Sequence, residues 1–190
     1  LTWSVGSVQD AIPQLTIKAD KFPRTAQEIE IKIDAVFIER YKTQNVIGFI
    51  KGTKQPDSII ALTAHYDHLG RMGKKTYFPG ANDNASGVSV LLNLAKYYKA
   101  HPAKYSVAFI FFSGEEAGLL GSKYYSEHPV FPLSKIKFLI NLDLLGTGDD
   151  GIMVVNASVF KEQFEKLNQI NVEKKYLKQI KQRGKAANSD

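Results

Sequence analysis

Residues 58–64 form a nearly continuous apolar run, S-I-I-A-L-T-A, which leads directly into His65 and Asp67. The run is short for a helix and is typical of a strand buried on both faces of a parallel sheet. Because side chains alternate along extended backbone, His65 and Asp67 are predicted to leave the strand tip on the same side. An imidazole and a carboxylate are therefore expected together at one end of a buried strand.

Two later apolar runs end in the same way. The run from Tyr105 to Phe112 is followed by Glu115 and Glu116, and the run from Ile136 to Leu142 is followed by Asp143. In sheets built from alternating strands and helices, functional sites lie beyond the carboxyl ends of the strands. All three strand tips carry side chains that can bind a metal ion.

Helical patterns separate and follow these runs. Apolar residues recur at helical spacing over 88–100, in a short segment ending near Tyr125, and from Phe160 onwards with a continuation through Ile180. The alternation predicts an α/β fold with a mostly parallel, mixed central sheet and helices on both of its faces. We expect one domain over residues 1–190.

The amino-terminal part of the chain predicts shorter, exposed elements. Residues 28–40 alternate apolar and polar side chains at period two, and residues 45–51 form a second extended segment beside them. Together they predict an edge hairpin that leads into the buried strand at Ile59. Residues 12–18 predict one further short strand.

Composition limits the chemistry that the chain can use. Cysteine is absent, which excludes disulfides and thiolate metal sites and leaves His, Asp and Glu as metal ligands. The net charge is +6, and residues 161–190 hold eight basic against four acidic side chains. No aromatic stacking pattern accompanies these lysines, so a solvated helix face is favoured over a nucleic-acid contact. The apolar runs are too short to span a membrane.

The segment G-A-N-D-N-A-S-G, residues 80–87, predicts a loop that turns into a helix, with Asp83 near the positive end of the helix dipole. Taken alone, Asp83 could be a helix cap, His65 a structural residue, and the two glutamates a solvated turn. Gathered at one sheet edge with Asp143, however, these carboxylates repel one another unless a cation lies among them. The sequence therefore predicts a divalent metal site, with zinc favoured and manganese or cobalt as alternatives.

Four ordered motifs, H-Y-D-H-L-G, G-A-N-D-N-A-S-G, F-F-S-G-E-E-A-G-L-L-G-S and N-L-D-L-L-G, resemble those of the co-catalytic dinuclear zinc aminopeptidases, family 28 of the metallopeptidases. The resemblance covers residues 45–148 and implies a zinc-exopeptidase-like fold. It also implies that His65 and Asp143 bind one zinc ion, that Glu116 binds the other, and that Asp83 bridges both.

The resemblance assigns two further side chains to the reaction. Asp67 would be the carboxylate that orients His65. Glu115 would be the general base, which takes a proton from a metal-bridged water and passes it to the leaving amine. A cis peptide bond between Asp83 and Asn84 is also implied.

One departure from the family pattern concerns the second zinc ion. The family's second ion takes a His, usually within a Ser-Asp-His sequence, whereas this chain ends at Ser189-Asp190. The histidines that remain do not match that motif: His68, His101 and His128. We therefore expect the missing ligand to be a His just beyond Asp190, in a catalytic domain truncated at its carboxyl terminus. Two zinc ions are expected in the intact enzyme, and one or none in these 190 residues.

The resemblance also implies a context for the chain. Residues 1–25 are similar to the tail of a protease-associated insert that precedes the catalytic domain in many such enzymes. Enzymes of this kind are usually secreted or periplasmic, which is therefore the expected location.

The function expected from these residues is hydrolysis of the first peptide bond of a peptide with a free amino terminus. Related zinc carboxypeptidases and glutaminyl cyclases are alternatives, and His65 counts against the cyclases, which lack that ligand in this clan. A non-catalytic binding protein with a decayed metal site is a further alternative. Glu115 counts against it, because a binding module needs no proton shuttle.

Overall fold

The computed structural model describes residues 17–32, 36–186 and 188–190. Its strands are β1 (Val46–Ile50), β2 (Gln55–His65), β3 (Gly70–Met72), β4 (Thr76–Phe78), β5 (Tyr105–Phe112), β6 (Ile136–Asn141), β7 (Ile152–Val154) and β8 (Ile180–Gln182). Its α-helices are α1 (Ser86–Ala100), α2 (Leu120–Glu127) and α3 (Lys161–Lys174), and short 3-10 turns form at Ala19–Lys21 and Leu133–Lys135. Within these ranges, the helices are too short or too polar to cross a membrane.

The central sheet has four strands in the order β1-β5-β2-β6. β2 runs parallel to both β5 and β6, whereas β1 is antiparallel to β5. This arrangement confirms the predicted mixed, mostly parallel sheet. In its register His65 lies opposite Phe112, and Thr63 lies opposite Asn141. The carboxyl ends of β5, β2 and β6 therefore meet at one edge of the sheet.

Alternate residues of the central strands build a core on each face of the sheet. On one face Leu91 of α1 packs with Leu62 and Phe109. On the other face Tyr125 of α2 packs in a cluster with Phe112. Burying a large apolar side chain of this kind stabilises a fold by about 1.5–3 kcal/mol. The predicted helices on both faces are confirmed, and the two cores hold the strand tips in place.

The predicted amino-terminal hairpin is wrong in the part of the chain that the structure describes. β1 pairs with β5 from the middle of the sequence, and residues 28–32 and 36–40 form no strand. Ile29 and Ile31 stay about half exposed, so their alternation does not mark a buried face. Residues 33–35 of that segment lie outside the described residues.

Two other predicted elements differ. Most of the short strand expected over 12–18 lies outside the described residues, and Ile17 and Lys18 at its end are irregular. The last helix ends at Lys174, because Lys175 takes a left-handed conformation with φ 53°. Ile180 then pairs in β8 beside β7 instead of continuing the helix.

The loop before α1 is tied to the end of β6 by a close approach at Gly87. The Asn84 side chain donates a hydrogen bond to the Leu142 carbonyl at 2.9 Å and accepts one from the Gly87 amide at 3.1 Å. A Cβ on Gly87 would collide with that same carbonyl oxygen of Leu142. The Asp83-Asn84 peptide bond in this loop is cis, as the resemblance implies. Close packing here therefore places Asp83 beside the tip of β6.

We predict that Gly87→Ala destabilises the protein. Helix propensity alone would favour alanine by about 1 kcal/mol, but overpacking against main chain costs about 1–3 kcal/mol, and we expect the collision to outweigh the propensity. Urea unfolding measures the change. Gly48→Ala is the matched control, because the nearest atom to its new Cβ would be Phe109 Cβ at 3.8 Å. A Gly87→Ala protein as stable as the wild type would contradict this account of the loop.

Candidate metal centre

His65 and two carboxylates form a compact donor group at the tip of β2. The His65 side chain is only 1% exposed, and its Nε2 lies 3.1 Å from Asp83 Oδ1 and 3.3 Å from Asp143 Oδ1. Its Nδ1 lies 3.1 Å from the main-chain oxygen of Asp67. Because a carbonyl oxygen can only accept, Nδ1 carries the hydrogen and Nε2 faces the two carboxylates. The predicted residues His65, Asp83 and Asp143 are thus brought together.

The oxygen atoms of Asp143 fit a bound cation. Oδ2 accepts a hydrogen bond from the Ser189 hydroxyl at 2.7 Å, whereas Oδ1 is buried and has no hydrogen-bond partner. A buried carboxylate oxygen left in this way is costly unless a positive group satisfies it. With zinc bonds of 2.0–2.1 Å, neighbouring atoms of a tetrahedral shell lie about 3.3 Å apart. The distances from His65 Nε2 match that spacing, so these side chains fit zinc.

The charges at this edge are poorly balanced. Burial lowers the pKa of His65, but the Asp143 carboxylate, the charge of Glu115 and the Asp67 carbonyl together outweigh burial and raise that pKa to about 9. Burial raises the pKa of Glu115 to about 7; the charge of His65 opposes this shift, and the charges of Asp190, Glu116 and Asp143 add to it. Among the described residues, the lysines that form ion pairs do so with other carboxylates. Without a metal, a proton on His65 is the nearest substitute for the missing positive charge.

The turn that carries Glu115 and Glu116 is held by Asp67. Its carboxylate accepts hydrogen bonds from the Glu115 amide at 3.1 Å and from the Glu116 amide at 3.2 Å. The same carboxylate lies 3.8 Å from His65 Nδ1, and the hydrogen bond to His65 comes from the main chain of Asp67. The carboxylate thus positions the glutamate turn, and the expectation that it also orients His65 stays a prediction. A part for Asp67 in catalysis stays a prediction.

His68 belongs to the site, although the sequence analysis set it aside. Its Nδ1 lies 2.6 Å from Glu116 Oε1 and 3.9 Å from Asp83 Oδ2. The sequence motifs do not indicate His68, because it matches none of the metal ligands of the family that the chain resembles. A geometric signal was available, since β2 and β5 are parallel neighbours and the turns that follow them must lie side by side.

Ser189 also reaches the candidate metal centre. The Thr63 hydroxyl donates to Asn141 Oδ1 at 2.8 Å, and the Asn141 amide donates to the Ser189 hydroxyl at 2.9 Å. Ser189 then donates to Asp143, so that a chain of hydrogen bonds runs from the interior of β2 to a carboxylate of the candidate metal centre. Sequence reasoning noted Ser189 only as part of a motif.

Known proteins share this fold and these motifs. A family model described as Peptidase family M28 matches residues 45–190. Aminopeptidase YwaD from Bacillus subtilis (strain 168) is 37% identical over 139 residues, which cover 72% of this chain and 29% of that protein. The structure of BSAP, a zinc aminopeptidase from Bacillus subtilis, matches with a TM-score of 0.61 and 30% identity, over 76% of this chain and 35% of that one.

A glutaminyl cyclase structure from an Acidobacteriales bacterium matches with a TM-score of 0.60 over 75% of this chain and 52% of that one. At 23% identity, this likeness shows the fold alone. The chain spans about a third of the length of YwaD and of BSAP.

We predict that Asp67→Ala weakens zinc binding by about 10–100-fold, the range for residues that support metal ligands. The substitution removes both acceptors that hold the glutamate turn. Competition with a chromophoric chelator measures the affinity. Asp150→Ala is the control, because Asp150 is exposed and pairs with Lys178 at 3.5 Å. Unchanged zinc affinity in Asp67→Ala would show that the turn does not need this carboxylate.

Proposed function

Because the chain belongs to peptidase family M28, we propose that it is the metal-binding part of a zinc-dependent aminopeptidase. The proposed reaction is hydrolysis of the first peptide bond of a peptide with a free amino terminus. The observation that carries the proposal is the buried His65 imidazole facing Asp83 and the unpartnered Asp143 oxygen, with Glu115 beside them. The names of YwaD and BSAP support the same class of activity.

The proposed site would take two zinc ions. His65, Asp83 and Asp143 would hold one ion, and Asp83 and Glu116 would contribute to holding the other. Zinc, when bound, polarises a carbonyl group and lowers the pKa of water. The carboxylates supply the negative charge that balances the ions, and burial at the strand tips strengthens each interaction by limiting access of water.

Glu115 has the properties of a general base. Burial raises its pKa to about 7, which is close to the pH at which a base both accepts and releases a proton readily. Its amide is fixed by Asp67, so the position of its backbone is set by β2 as well as by β5. In the proposed reaction the Glu115 carboxylate takes a proton from the attacking water and gives it to the leaving amine.

The alternatives predict different products. A glutaminyl cyclase would act on peptides that begin with glutamine, and its support here is a likeness of fold only. A non-catalytic binding protein would bind zinc and release no product. Secretion, and the assignment of residues 1–25 to the tail of a preceding protease-associated insert, stay predictions of the sequence.

We predict that the full-length protein releases p-nitroaniline from amino-acid p-nitroanilides, that a zinc chelator abolishes this release, and that added zinc restores it. Glu115→Gln should lower kcat by about 10²–10⁴-fold, the usual contribution of a general base, while zinc affinity stays within a few-fold of wild type. Glu127→Gln, at the exposed end of α2, should leave kcat unchanged. No release under any metal condition would contradict the proposed function, as would full activity in Glu115→Gln.

A further inference from the structure

The two oxygens of Asp83 face two different imidazoles. Oδ1 lies 3.1 Å from His65 Nε2, and Oδ2 lies 3.9 Å from His68 Nδ1. Each imidazole also faces a carboxylate from a neighbouring strand tip, Asp143 for His65 and Glu116 for His68. The edge of the sheet therefore carries two groups of one imidazole and two carboxylates, and Asp83 belongs to both.

The second group has the donor set that zinc takes in proteins. The donor atoms of His68, Asp83 and Glu116 all lie within 4.8 Å of one another, and the three side chains are partly buried. Zinc binds His nitrogen and Asp or Glu oxygen, and a catalytic zinc site has three protein ligands with a fourth position for water or substrate. The spacing is uneven, with His68 Nδ1 2.6 Å from Glu116 Oε1 and 3.9 Å from Asp83 Oδ2.

We propose that His68 is a ligand of the second ion, together with Asp83 and Glu116. The inference rests on the proposed function for the existence of that ion and adds a ligand that the family motif does not assign. It replaces the expectation that residues 1–190 bind at most one ion.

The short contact between His68 and Glu116 is also compatible with a hydrogen bond that involves no metal. The His68 Nδ1–H could donate a hydrogen bond to Glu116 Oε1 and only orient that carboxylate. Asparagine separates the two cases, because its amide nitrogen sits close to the position of His Nδ1 and can donate the same hydrogen bond. An amide nitrogen does not bind zinc, so His68→Asn keeps the donor and removes the ligand.

Zinc affinities are measured by chelator competition on the full-length protein and on its His68→Asn and His68→Ala variants. His101→Asn is the matched control, because His101 lies at the exposed end of α1 and its ring stacks on Tyr97 at 4.6 Å. We expect two tight sites in the wild type and in His101→Asn. Both His68 variants should weaken one site by more than about 100-fold, beyond the effect of a residue that only supports a ligand.

Cobalt-loaded protein provides a direct readout, because an imidazole bound to cobalt(II) gives a strongly shifted N–H proton resonance. His68→Asn should lose one such resonance and keep that of His65. Retention of every shifted resonance in His68→Asn, or recovery of the second site by Asn relative to Ala, overturns the proposal and makes His68 a positioning residue. The thermal unfolding midpoint of each metal-free variant checks that it folds.

His65→Ala distinguishes this inference from the proposed function on which it rests. If His65→Ala abolishes one tight site while the His68 variants change neither site, only the inference about His68 fails. If His65→Ala leaves zinc binding and peptide hydrolysis intact, the proposed function itself fails.

Discussion

Repulsion among carboxylates at one edge of the sheet is the constraint on which the rest of this structure depends. Asp83, Glu116 and Asp143 converge there on two imidazoles, and the lysines that form ion pairs in the described part of the chain do so elsewhere. Like charges held this close raise the free energy of the fold unless a cation lies between them. The buried Asp143 Oδ1, 3.3 Å from His65 Nε2, marks a position that either a metal ion or a proton on His65 would satisfy.

The fold meets this constraint by making the edge rigid. β2 and β5 end opposite one another, β6 ends opposite Thr63, and a core packs on each face of the sheet to hold these strands together. Hydrogen bonds then link the loops to one another: Asn84 ties the Asp83 loop to β6, and Asp67 ties the glutamate turn to β2. A preorganised set of ligands binds a metal ion with less loss of conformational entropy than a flexible one. The same bonds that support the fold therefore support the chemistry.

Much of this architecture can be predicted from the sequence, because strands buried on both faces appear as continuous apolar runs. β5 occupies the residues predicted for it, and the rule that sites lie beyond strand ends places His65 and Asp143 together. The partner of β1 could not be predicted, since the extended segment 45–51 indicates a strand without indicating its neighbour. β8 has three residues and exists through its pairing with β7, which no local pattern reveals.

The directions of side chains in turns could not be predicted from the sequence either, and two residues of the site lie in such a turn. Asp67 and His68 leave irregular backbone after β2, where the alternation of a strand no longer applies, and their contacts with Glu115 and Glu116 depend on a neighbouring turn.

The central claim is that a cation occupies this edge of the sheet. Crystals of the zinc-loaded protein test it by anomalous scattering at the zinc absorption edge. The account predicts a peak at about 2.0–2.2 Å from His65 Nε2, Asp83 Oδ1 and Asp143 Oδ1. An empty position among those three atoms at saturating zinc would contradict it.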